Sequence, residues 1–268
     1  MAKYLFGFIG TGNMGGALVE AACQTLDPSC ILLANRTRAK AEKLAERLGC
    51  DVGSNEDVVS QCEYIFLGVK PQMMADTLAP LQGLLAARQD SFILVSMAAG
   101  LRMEKISALA GGTYPVIRLM PNTACAVEAG LVLHDHNALV SDAQLQVFLD
   151  AMVRSGWLEQ LDEHLMEAGS AVAGCGGAFI CQFLEGLADG GVACGLPRAK
   201  AQRFAAQMAF GTAKLILESG KHTGQLKDEV CSPAGSTIQG VRILEERAVR
   251  GAAMDAAIAA WQRGKELG

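Results

Sequence analysis

The 268-residue chain has no cysteine pattern of the kind that builds a disulfide framework or a zinc site. Its nine cysteines (Cys23, Cys30, Cys50, Cys62, Cys125, Cys175, Cys181, Cys194 and Cys231) are odd in number and scattered, and no CxxC pair occurs. Reduced, mostly buried thiols in a cytoplasmic protein are the expectation, with no metal site. A basic stripe is lacking too. With 23 Lys and Arg against 28 Asp and Glu, the net charge is −5 and the pI about 5.4, which argues against nucleic acid as a partner. No signal-peptide pattern precedes the first apolar run, which begins almost at Met1. The longest uncharged run, Ala168–Leu184, holds Gln182 and four glycines and is marginal for a bilayer span. A helix buried in a domain or subunit core is expected there, and no membrane. Internal repeats and low-complexity segments are absent. What remains is a chain that is 51% hydrophobic, with mean hydropathy +0.25, long enough for two domains and able to bury a large core.

The first 162 residues alternate strand-like and helix-like segments. Apolar runs fall at Tyr4–Ile9, Ile31–Ala34, Tyr64–Val69, Phe92–Met97 and Val116–Met120, with helical patterns such as Arg38–Leu48 and Met103–Leu109 between them. This βαβ rhythm predicts a doubly wound α/β sheet, mainly parallel and covered by helices on both faces. Leu131–His134 and Gly156–Leu161 would extend its edge. Residues 163–268 read as an all-helical second domain, broken near Gly174–Gly177, Gly195–Pro197, Ser219–Gly224 and Ser232–Gly235. In Arg198–Leu217 the residues Ala201, Phe204, Ala205, Met208, Thr212, Leu215 and Ile216 share one broad face. With few polar residues on Ala168–Leu184 and Ala252–Trp261, helix pairing between subunits is expected.

The first strand runs into a helix through Gly10-Thr11-Gly12-Asn13-Met14-Gly15. In a dinucleotide-binding turn the first glycine permits the tight turn and the second lets the pyrophosphate approach. The third lets helix and strand pack closely. Free amides at the helix start would then hold the phosphates. An NAD-type fold places a carboxylate at the end of the second strand to bind the ribose. Here the strand ends in Ala34-Asn35-Arg36-Thr37-Arg38. Arg36, Thr37 and Arg38 suit a 2′-phosphate and Asn35 suits the ribose, so NADPH is the expected cofactor, with NADH also accepted. Asn55, in the loop-like GSNED stretch, and Val69-Lys70-Pro71, at the end of the Tyr64–Val69 run, are further cofactor candidates.

Other segments narrow the reading. They are Ser96-Met97-Ala98-Ala99-Gly100, Arg118-Leu119-Met120-Pro121-Asn122-Thr123, Ala188–Val192 with Gly195–Arg198, Gln225–Asp228 and Ser232-Pro233-Ala234-Gly235-Ser236-Thr237-Ile238. With the glycine turn and Val69-Lys70-Pro71 they closely resemble the pyrroline-5-carboxylate reductase family, in order, from about Phe8 to Leu244. The resemblance implies a Rossmann domain (1–162) followed by an all-α dimerisation and substrate-binding domain (163–268). It also implies reduction of L-Δ1-pyrroline-5-carboxylate to L-proline, the last step of proline synthesis. Dimers, often assembled into decamers, follow from it, with active sites between the cofactor domain of one subunit and helices of its partner. The chain departs from the family pattern at Gly177, Phe179, Ala234 and Glu229. A reductase of another cyclic imino acid and a non-catalytic NADP(H)-binding paralogue therefore stay open as alternatives.

A protonated cyclic imine accepts hydride without a strong internal acid. The four histidines (His134, His136, His164 and His222) lie outside every matched segment and are expected to be surface or core residues. The task left to the protein is positioning the imine carbon against the nicotinamide. The start of a helical pattern, Ile238–Glu246, provides amides from Ala234, Gly235 and Ser236 to clamp the substrate carboxylate. By spacing alone Ser232 and Thr237 read as helix caps; with the resemblance they are the candidate catalytic residues, with the Thr237 hydroxyl on the ring nitrogen. Asn122 is placed at both nicotinamide and substrate, and Met97, Ala98 and Ala99 along the nicotinamide ring.

Overall fold

The computed structural model describes residues 2–267. The chain divides into two units, one running through Cys175 and resuming at Ala260, the other Gly176–Ala259.

The first unit contains the strands β1 (Tyr4–Ile9), β2 (Ile31–Ala34), β3 (Asp51–Val52), β4 (Cys62–Leu67), β5 (Ile93–Ser96), β6 (Val116–Met120), β7 (Gly130–His136) and β8 (Gly156–Gln160). They form one sheet in the order β3-β2-β1-β4-β5-β6-β7-β8. Strands β1 to β6 are parallel; β7 pairs antiparallel with β6, and β8 parallel with β7. The helices of this unit are α1 (Asn13–Cys23), α2 (Arg38–Leu48), α3 (Asn55–Gln61), α4 (Met74–Leu78), α5 (Gln82–Ala87), α6 (Met103–Leu109), α7 (Asp142–Met152) and α8 (Met166–Ala173). Strand after strand divides its side chains between two cores. Ile31, Leu33, Tyr64, Phe66, Ile93 and Val95 enter one; Leu32, Ala34, Ile65, Leu67 and Leu94 enter the other. Both faces are therefore dry, as a sheet wrapped by helices on both sides requires. The first core is centred on stacked Phe8 and Phe66, 4.2 Å apart, and Tyr64 anchors α7 by donating to the Gln144 carbonyl at 2.7 Å.

Three expectations shift. The run read as Tyr64–Val69 is paired over Cys62–Leu67 and leaves the sheet at Gly68, whose bare Cα lies against the Gly10 carbonyl. The run read as Phe92–Met97 shortens to Ile93–Ser96. Strand β3 has no hydrophobic run of its own and exists because Asp51 and Val52 pair with Leu32 and Leu33.

The second unit is helical: α9 (Gly176–Ala193), α10 (Arg198–Ser219), α11 (Thr223–Glu229), α12 (Ser236–Glu246) and most of α13 (Val249–Glu266). Helices α9 and α10 meet through Ala188, Ala201 and Ala205, with Leu184 and Val192 alongside. Small side chains let the two backbones approach. The broad face expected on α10 is buried only at Ala201 and Ala205; Phe204, Met208 and Leu215 stand exposed, as do Ile180, Phe183 and Leu187 on α9. Within one chain the uncharged Ala168–Leu184 run is therefore not a core helix. It breaks at Gly174–Cys175, and its α9 portion is largely uncovered.

Candidate functional site

The donor half starts at the glycine turn. Gly10 sits at φ +101°, which side-chain-bearing residues rarely adopt, and a Cβ there would lie 2.7 Å from the Gly68 carbonyl oxygen. A Cβ on Gly15 would strike the Gly10 carbonyl, whereas one on Gly12 would meet nothing within 4 Å. The first and third glycines thus serve packing, and the second keeps open space in front of α1. Gly12 caps that helix without a side-chain bond, and no acidic residue lies in its first turn. The Asn13, Met14 and Gly15 amides and the helix dipole remain available to an anion. The Thr11 hydroxyl is buried without a partner. An open cradle, free amides and an orphaned hydroxyl fit a dinucleotide pyrophosphate.

Asn35 holds this edge together. Its Oδ1 accepts from the Thr11 amide at 3.1 Å, and its Nδ2 donates to the Thr37 carbonyl at 3.0 Å. The residue expected to bind ribose is thus engaged in joining the glycine turn to the start of α2. Thr37 is the backbone N-cap of α2, without a side-chain cap bond. Arg36 is exposed and reaches only the Met73 sulfur at 4.0 Å, while Arg38 pairs with Glu42 at 2.8 Å. A groove of about 420 Å³ runs along Thr11, Gly12 and Asn13 to Lys40, Lys43 and Arg47. These last cations lie on α2 at helical spacing, a signal readable in the sequence but not used there.

Asn55 is the first residue of α3 rather than part of a loop, because Ser54 and Asp57 form a capping box ahead of it. Lys70 is exposed, and Val69 and Pro71 are half-buried in the turn after β4. After β5, Met97 and Ala99 are partly exposed, but Ala98 is 1% exposed and packs in the core, so its methyl cannot line a ring. Asn122 is also engaged: Oδ1 accepts from the Ala124 amide at 3.2 Å and Nδ2 donates to the Ala173 carbonyl at 3.1 Å. It fixes the Pro121–Thr123 turn against the end of α8.

One group that the sequence reading left without a role is Arg118, in the middle of β6 and wholly buried. Its Nη2 meets Glu167 at 2.6 Å and its Nη1 meets Glu163 at 3.5 Å. Glu163 also accepts from the Met103 amide, the first of α6, at 2.6 Å, and its own amide donates to Asp135 at 2.6 Å. The network joins β6, β7, α6 and the start of α8, next to the loops carrying Met97–Ala99 and Asn122. The signal was an arginine inside the apolar run Val116–Met120, with two glutamates four residues apart downstream. His134, beside it on β7, is buried, and desolvation holds its imidazole below the usual value. His222 caps α11 through Nδ1, which accepts from Gly224.

The residues expected to bind the substrate lie in the second unit, where α12 begins. Gly235 is the N-cap and no side chain caps the helix, so neither Ser232 nor Thr237 is engaged as a cap. The loop closes on itself as the Gly235 amide donates to the Ser232 carbonyl at 3.0 Å. Ser232, Ser236 and Thr237 are exposed and Gly235 half-buried. The first-turn amides of α12 therefore face solvent with the Thr237 hydroxyl among them. Ala234 sits at φ +59°, a left-handed position that costs an alanine about 1 kcal/mol. Glu229 receives Lys221 at 2.7 Å and Gln225 at 3.3 Å, closing the α10–α11 turn. Lys227 is held above its ordinary value by its hydrogen bond to Asp228.

A Rossmann sheet with an NADP-type edge, followed by a helical module, defines a nicotinamide-dependent oxidoreductase. Residues 5–100 match the family model described as NADP oxidoreductase coenzyme F420-dependent, and residues 163–267 match pyrroline-5-carboxylate reductase dimerisation. The pyrroline-5-carboxylate reductase of Escherichia coli (strain K12) is 36% identical over 265 residues, 97% of each chain. That of Methanosarcina acetivorans is 37% identical over 274 residues, covering 100% of this chain and 99% of the relative. The chain belongs to the pyrroline-5-carboxylate reductase family. Its fold matches the Plasmodium falciparum pyrroline carboxylate reductase solved with NADP bound, at TM-score 0.89 and 27% identity over 100% and 99% of the two chains. The Streptococcus pyogenes 1-pyrroline-5-carboxylate reductase gives TM-score 0.88 at 27% identity over 97% and 98%. By length and composition the helical run Glu163–Ala193 could cross a membrane, with 11% of its apolar window buried. That run lies within the dimerisation match.

Proposed function

We propose that this protein reduces L-Δ1-pyrroline-5-carboxylate to L-proline, taking the hydride from NADPH in preference to NADH. The observation that carries the acceptor side is the uncapped, solvent-facing start of α12 with Thr237 on its first turn. The substrate carboxylate sits on the amides of Gly235, Ser236 and Thr237, with Ala234 shaping the turn. The Thr237 hydroxyl hydrogen-bonds the ring nitrogen and steers the imine face, and Ser232 supports the same loop from its other end.

On the donor side, the Asn13–Gly15 amides hold the pyrophosphate and the Thr11 hydroxyl acquires its partner. Asn35 keeps that turn in register with Thr37, Arg36 and Arg38. Exposed Arg36 answers the 2′-phosphate directly, whereas Arg38 must share itself with Glu42. Asn55 and the Val69-Lys70-Pro71 turn flank the cofactor, and Met97, Ala99 and the backbone of Ala98 border the nicotinamide, with Asn122 fixing the loop opposite. When bound, the cofactor supplies hydride from nicotinamide C4. The substrate iminium arrives protonated, so no side chain need act as a strong acid.

Residues 163–268 serve dimerisation and substrate binding, and dimers carry the activity, with decamers as a further level. Cytoplasmic residence agrees with nine cysteines all present as free thiols. Steady-state kinetics with the five-membered and six-membered cyclic imino acids test the substrate. The smaller ring should give the higher kcat/KM, and a preference for the larger would reverse the assignment.

A further inference from the structure

Cys23 is the last residue of α1, and Cys50 follows Gly49, which ends α2 in a left-handed turn. Their Sγ atoms are in direct contact, 3.5 Å apart across 27 residues of chain. Cys23 is half-buried, while Cys50 is only 9% exposed. A hydrogen bond from the Cys50 thiol lowers the Cys23 pKa against the opposing effects of burial and Glu20, and Cys50 is raised in turn. Cys62 and Cys125 contrast with this pair. Both are buried; burial pushes the Cys62 thiol up to about 12 and raises Cys125 as well, so both stay protonated and shielded.

We propose that Cys23 and Cys50 form a peroxide-oxidisable pair that closes a disulfide between the ends of α1 and α2. The Cys23 thiolate attacks one oxygen of hydrogen peroxide, the O–O bond breaks, and Cys23 becomes a sulfenic acid. The departing hydroxide takes up the proton that Cys23 released and leaves as water. Cys50 sulfur then attacks Cys23 sulfur, the S–O bond breaks, and the Cys50 proton leaves with that oxygen as a second water. Two thiols lose two electrons and two protons, and one peroxide is reduced to two waters. The sulfurs must close to about 2.05 Å. The left-handed turn at Gly49, next to Cys50, can absorb that movement. The bond would join the two helices whose opposite ends carry the glycine turn and Arg36–Arg38, so the site belongs to the cofactor-binding framework.

Folded full-length protein treated with hydrogen peroxide and digested without reduction tests this by mass spectrometry. The free Cys23 and Cys50 peptides should disappear together, replaced by one linked pair that dithiothreitol reverses. In Cys50→Ser, dimedone should trap the Cys23 sulfenic acid, which has lost its resolving thiol. Cys23 linked to Cys30, both thiols recovered free while other cysteines oxidise, or a dimedone adduct on wild-type Cys23 beside free Cys50 would overturn the proposal. The wild-type map decides on its own if Cys50→Ser does not fold.

Discussion

Thr237 and Arg36 carry the account at the residue scale because each faces solvent with little else to do. Thr237→Ala removes the hydroxyl from an uncapped helix start. It should lower kcat/KM at least about tenfold, equivalent to ~1.4 kcal/mol of transition-state binding, while Thr237→Ser retains most of the activity. Wild-type kinetics in the alanine variant would remove Thr237 from the mechanism. Replacing Arg36 and Arg38 together with alanine should raise KM for NADPH more than for NADH, and equal changes would contradict a 2′-phosphate role. Residue type and position at the end of the second strand pointed to Arg36, whereas Thr237 became a candidate only through the family resemblance. Asn35 and Asn122 were legible only as positions. Their carboxamides turn out to join Thr11 to Thr37 and Ala124 to Ala173, contacts that depend on how distant segments meet. The same holds for Cys23 and Cys50, which scattered spacing leaves unpaired and the fold brings to 3.5 Å.

Among the elements, continuous apolar runs exposed the long strands, and α2 and α6 occupy the bounds that their patterns gave. Strand β3 escaped because pairing with β2 makes it a strand, not its own two residues. The Arg118 network escaped for the same reason: it is assembled from β6, α6, β7 and α8, and only its arginine breaks a local pattern. Arg118→Met leaves Glu163 and Glu167 without their buried cation. Loss of one partner of such a network costs about 3 kcal/mol. For a unit of this size, that corresponds to a fall in Tm of roughly 6–12 °C. Thermal unfolding of the variant with NADPH absent measures it. An unchanged Tm would show that the network does not hold these elements together.

Over the whole molecule, the helical unit exposes Phe204, Phe210, Leu217 and Met254, each about half or more uncovered, and a second copy of the chain is the partner that the dimerisation match supplies. The sequence announced helices and their pairing between subunits. It did not separate faces buried within the chain from faces left for a partner, because alanines and large apolar residues share the same 3.6-residue period on α10. The family match gives a nicotinamide-dependent reductase, and the proposed reaction passes hydride from nicotinamide C4 to the imine carbon. NADPH deuterated on the transferring face of C4, turned over with pyrroline-5-carboxylate, tests this most directly by mass and nuclear magnetic resonance spectra of the product. L-proline with the label on C5 is the expected product. Unlabelled proline, or NADPH oxidised without proline formation, would contradict it.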